Sequence, residues 1–116
     1  MKYYNSLPEG NEMASMEPVR YFNLGIQQIN EIVEWLKTTN EPVQPILVHL
    51  EVLLVLSKRY PQSAEDTLYR INLKEIKVVF LEWFERCGSK IPAKYRQEVK
   101  ENGENIIKEL EQYWVP

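Results

Sequence analysis

The chain is expected to fold as an all-α protein, an antiparallel four-helix bundle or an irregular four-helix array, preceded by an irregular leader at 1–15. Three observations carry that expectation. Apolar residues recur at alternating intervals of three and four in long segments, which is the spacing of one stripe on an α-helix. Most prolines and glycines fall between those segments, where they act as punctuation. A further segment, ILVHLEVLLVL at 46–56, is apolar at nine of eleven positions, so a helix there needs cover on nearly every side.

The leader contains Asn5, Pro8, Gly10 and Asn11 and has no helical period, although Tyr3, Tyr4 and Leu7 could dock. The rest, 16–116, reads as one helical domain, consistent with a chain of 116 residues. The first helix is expected at about 17–38, with Ser15 as a possible cap and Pro18 tolerated in the first turn. Val19, Phe22, Ile26, Ile29, Val33 and Leu36 form its apolar stripe, and Glu41-Pro42 follows its end.

The second helix is expected at about 45–59, with Pro45 in its first turn, and it ends before Tyr60-Pro61. At about 100° per residue, Gln44, Glu51 and Lys58 form a narrow polar line with Val48 and Val55 almost on it. His49 points the other way, beside Leu53 and Leu56. A third helix at about 64–87 has a start signal in Ser63-Ala-Glu-Asp66 and a stop signal at Cys87-Gly88. Its stripe is Tyr69, Leu73, Ile76, Phe80, Trp83 and Cys87. A second capping signal, Asn72-Leu-Lys-Glu75, would split it, but a continuous helix is the preferred reading. The fourth, at about 92–114, carries Tyr95, Val99, Ile106, Leu110 and Tyr113. Gly103 falls on that stripe, where it allows a close helix crossing or else a break.

Composition bounds function. A net charge of −3 gives no general attraction to nucleic acid or anionic membranes. The single cysteine, Cys87, cannot form an internal disulfide. The first residues lack the basic start and apolar core of a secretory signal, and the apolar run at 46–56 is too short to span a bilayer. A cytoplasmic protein with no membrane contact is the expectation.

The chemistry-bearing constellations are sparse. Glu31/Glu34 and Glu82/Glu85 are spaced as helix-borne carboxylates that can hold metals, but their phase beside the apolar stripes turns them outward. His49 is the sole histidine, which by itself cannot make a metal site. A Cys87–His49 nucleophile pair is disfavoured because Cys87 ends a helix at its negative pole. Arg70, Lys74 and Lys77 form a weak basic patch, and Lys94, Arg96 and Lys100 a second cluster, both diluted by glutamates. There is no phosphate loop, nucleophile elbow, Cys-x-x-Cys or zincin signature. No catalytic, metal-ligating or cofactor-binding residue is therefore assigned, and no cofactor or small-molecule ligand is expected.

The expected function is a protein-interaction or regulatory module that binds a partner or a second copy of itself through the second helix. Val48 and Val55 lie on an outward line, flanked by Leu47, Val52 and Leu54, and Trp35 sits off the first helix's stripe beside Ile32. These six residues are the candidate interface. A small metal-dependent enzyme using the helix-borne carboxylates is the alternative, followed by nucleic-acid binding through Arg70, Lys74 and Lys77, which is the least favoured.

Overall fold

A computed structural model of the protein describes residues 16–114. The leader expected at 1–15, with Tyr3, Tyr4, Leu7 and Ser15, lies outside the described residues, as do 115 and 116. Every regular element among the described residues is helical: α1 Glu17–Leu36, α2 Ile46–Arg59, α3 Pro61–Thr67, α4 Leu73–Cys87 and α5 Ala93–Glu111. Two 3₁₀ turns, Leu68–Arg70 and Gly88–Lys90, precede α4 and α5. None of these helices is long and apolar enough to cross a membrane.

The principal correction concerns the third expected helix, which is two helices rather than one. Pro61 opens α3, where its missing amide costs nothing. Ser63 is therefore buried inside α3 and caps nothing. The chain then tightens into the first 3₁₀ turn, extends at Ile71 and restarts at Asn72, whose side-chain oxygen accepts from the Glu75 amide at 3.1 Å. A local cap thus prevails over the longer periodicity. The break also rephases the stripe, so Leu68 is fully buried while Tyr69 is 59% exposed.

At position 103 the opposite choice is made. Helix α5 runs unbroken through Gly103, and the ring of Phe80 on α4 occupies the space a side chain there would need. The close crossing anticipated for this glycine is the observed one. Ile107 and Leu110 fill the core beyond it, Val99 and Ile106 are half-buried, and Tyr95 stands exposed instead of joining the stripe.

The core joins Phe22, Ile26, Ile29, Val33 and Leu36 of α1 to Ile46, Leu50, Leu53 and Leu54 of α2. Leu73, Ile76, Phe80 and Trp83 of α4 complete it. Side chains from α4 and the following turn hold the α1–α2 connection. The Arg86 guanidinium donates to the carbonyl of Leu36 at 2.8 Å, an orphan acceptor at the end of α1, and to that of Thr39 in the connection at 3.0 Å. Trp83 Nε1 donates to the Glu41 carbonyl at 2.9 Å, and Lys90 Nζ to that of Asn40 at 2.9 Å. Helix α2 starts from this end, where the Gln44 side chain accepts from the Leu47 amide. It passes Gly25 of α1 at Leu53, so it descends antiparallel to α1. Its last turn is tied to that of α5 by the Lys58–Glu109 ion pair at 3.8 Å.

Candidate functional site

Helix α2 explains its own composition by having three kinds of neighbour. Ile46, Leu50 and Leu53 point into the core and are fully buried. Leu47 and Leu54 turn towards α5, where they line a groove with Val48, Val55, Asn102, Asn105 and Ile106. Ser57, buried in the same helix, satisfies its hydroxyl by donating to the Leu53 carbonyl at 2.7 Å. The remaining side is only partly covered by the described residues. Val48, Val52 and Val55 are 63%, 51% and 61% exposed and lie within an arc of about 60° on the helix surface.

Of the six candidate interface residues, Val48 and Val55 are exposed along the expected outward line, and Val52, expected at its flank, is exposed as well. Leu47 is half-buried and Trp35 is 42% exposed. Leu54 is only 5% exposed, since its position on the wheel faces α5, and it belongs to the core rather than to an interface. The groove between α2 and α5 measures about 780 Å³, with an apolar floor and a rim of Glu51, Lys58, Lys108 and Glu109. On the far side of the valine ridge a depression of about 320 Å³ is lined by Val48, Glu51, Val52, Val55 and Leu56. The exposed valines therefore form a ridge between two hollows.

Two members of the expected basic patch border different hollows. Arg70 belongs to the 3₁₀ turn ahead of the break at Asn72, and it lines a groove of α1 that includes Glu31 and Glu34. Lys77 of α4 instead borders a hollow containing Glu104, Lys108 and Glu111 of α5. Lys74 is exposed on α4. The second basic cluster is taken up structurally. Arg96 donates to the carbonyls of Gly88 at 2.8 Å and Ile91 at 2.9 Å, closing the 3₁₀ turn after α4. Lys94 lies over the Tyr95 ring and Lys100 over that of Phe84.

Glu31, Glu34, Glu82 and Glu85 are all exposed. Glu34 and Glu75 share the ammonium group of Lys37, each at 2.9 Å, which links α1 to α4. These hydrogen bonds from Lys37, that to Glu34 first, raise the Lys37 pKa above its ordinary value. Among the described residues, no three His, Cys, Asp or Glu side chains gather closely enough to hold a metal ion. His49 is half-buried at the flank of the α2 ridge, and Cys87 is buried with its thiol towards the Thr39 carbonyl.

No family model, curated protein or solved structure matches the chain. The site must be read from its own chemistry, which is that of an apolar ridge with charged margins. Among the exposed apolar residues that sequence reasoning missed are Tyr21 and Leu24 of α1. Their signal was present, because Tyr21, Leu24, Gln28 and Trp35 share a face of α1 outside its buried stripe, spaced by three, four and seven.

Proposed function

We propose that the protein is an interaction module, acting in the cytoplasm, whose working surface is the outward face of α2 and whose principal partner is a second copy of itself. The observation that carries this reading is the row Val48, Val52 and Val55, each more than half exposed along one side of α2. Full burial of a valine side chain stabilises by about 1.5–3 kcal/mol, so covering three of them supplies a real driving force. A twofold pairing is the simplest closed assembly of one such face, because the same patch serves both partners. Glu51 on one flank and Arg59 near the end of the ridge give the face charges of both signs, as an antiparallel helix pair requires.

Sedimentation or light scattering over a range of concentrations tests this directly. The wild type is expected to pass from monomer to dimer as concentration rises, and Val48→Glu with Val55→Glu is expected to remain monomeric. A wild type that stays monomeric at high concentration overturns the homodimer.

A further inference from the structure

The exposed apolar residues of α1 and α2 belong to one surface. Helix α1 meets α2 at Gly25, where an added β-carbon would stand 2.9 Å from the Leu53 side chain. On the wheel of α1, at about 100° per residue, the core residues Leu36, Ile29, Phe22 and Val33 succeed one another on one side of Gly25. Tyr21, Trp35 and Leu24 succeed one another on the other side, about 40°, 80° and 100° away. From Leu53 the wheel of α2 likewise carries Ile46 and Leu50 towards the core, and Val52, Val48 and Val55 away from it. Because both buried stripes enter the same core, the two outer rows adjoin across the α1–α2 contact. All six residues of these rows are 42–63% exposed.

Area argues that the two rows act together. The valines of α2 span about 11 Å on a helix about 10 Å wide, an outline of about 100 Å². A stable interface buries about 800 Å² on each partner, so this row is too small by itself. The row of α1, from Tyr21 to Trp35, runs for about 21 Å. Side by side, the two helices present a face of about 400 Å² in outline, which the relief of its side chains brings towards the required figure. It also adds a tryptophan and a tyrosine, the residue types that most often anchor interfaces.

Charge selects the register. Arg20 and Glu31, both exposed, stand on the outer margin of the α1 row, about 40° and 20° beyond Leu24. Arg20 approaches Glu17 through Nε at 3.7 Å with its side chain still 76% exposed, which leaves its guanidinium open to a second carboxylate. When α1 lies antiparallel on α1 of a second copy, Arg20 of each meets Glu31 of the other if the twofold axis passes midway between them, beside Gly25. Gly25 is level with Leu53. The same axis therefore crosses α2 beside Val52, the middle valine of its row.

We infer that the joint outer face of α1 and α2 packs antiparallel on the same face of a second copy, with Val52 at the twofold axis and Arg20 of each copy on Glu31 of the other. The inference rests on the reading of the second copy as the partner, and it adds Tyr21, Leu24 and Trp35 of α1 to the contact. An axis set by charges on one helix that also centres the apolar row of the other satisfies both rows in one twofold arrangement.

The test is sedimentation of the full chain and its variants, with thermal unfolding of each at a dilution where it is monomeric. Leu24→Glu is expected to raise the dimer dissociation constant about tenfold or more and to leave the melting temperature of the dilute protein unchanged. Arg20→Glu alone and Glu31→Arg alone are expected to weaken the dimer, and the two together to restore it. On oxidation, Val52→Cys is expected to cross-link the dimer, since its two copies meet at the axis. Val48→Cys is not, because its copies stand about 13 Å apart along the helices, beyond the reach of a disulfide. Cys87 is buried and does not compete.

If Leu24→Glu dimerises as the wild type does while Val52→Glu stays monomeric, α1 lies outside the contact, and this inference fails while the homodimer stands. A lower melting temperature of dilute Leu24→Glu assigns Leu24 to cover within the monomer and also overturns it. Cross-linking through Val48→Cys in preference to Val52→Cys, or a charge swap that restores nothing, overturns the register. A wild type that stays monomeric at high concentration overturns the homodimer and the joint face together.

Discussion

The Phe80 ring lies in the volume that a β-carbon at Gly103 would occupy. Alanine is the better helix former by about 1 kcal/mol, yet here it drives a methyl group into an aromatic ring in a closed core. Overpacking of this kind costs about 1–3 kcal/mol. Gly103→Ala is therefore expected to destabilise in urea unfolding. Combined with Phe80→Leu, it is expected to cost less than the sum of the two single changes. Additive losses would show that Phe80 is not what excludes the methyl group.

Arg86 carries the connection between α1 and α2 with three hydrogen bonds from one guanidinium to two carbonyls. Arg86→Met keeps the aliphatic stem and removes these charged hydrogen bonds, for an expected loss of about 1.5–3 kcal/mol. Arg86→Lys is expected to recover only part of it, since an ammonium cannot reproduce the planar fork. Chemical denaturation of the two variants measures the difference.

Asn72→Ala removes the only side-chain cap observed at the start of α4. The expected cost is about 1 kcal/mol, and Asn72→Asp is expected to be close to neutral. If Asn72→Ala were neutral, the break between α3 and α4 would owe nothing to the cap, and Ile71, extended and buried, would have to account for it.

Lys37 bridges Glu34 and Glu75 at an exposed site. Because its folded-state pKa is raised, its contribution is fully present below the ordinary lysine pKa of 10.5 and is lost only as pH rises through the raised value. The stability difference between wild type and Lys37→Met is expected to stay flat through neutral and mildly alkaline pH and to shrink with added salt. A difference that vanishes near neutrality would show that the bridge does not hold in solution.

Val48→Glu and Val55→Glu change residues that are already more than 60% exposed. Each is expected to alter monomer stability by no more than about 0.5 kcal/mol. A large drop in melting temperature would mean that the ridge is covered within the monomer.

The helical class, the stripes of α1 and α2 and the phase of the exposed valines were legible from sequence, because a period of 3.6 residues assigns each side chain a direction on its helix. Direction alone does not name a neighbour. Leu54 and Val52 are both apolar flank positions on the wheel, and only the placement of α5 beside one of them makes Leu54 core and leaves Val52 exposed. Likewise, Asn72 and Gly103 each carried a legible signal with two possible outcomes. The chain broke at Asn72, where a local cap and the 3₁₀ turn allow Leu68 to be buried. It continued at Gly103, where Phe80 rewards a close crossing. Periodicity thus determined which faces seek cover. Tertiary packing decided which of them received it, because burial depends on what stands opposite, and that belongs to another segment of the chain.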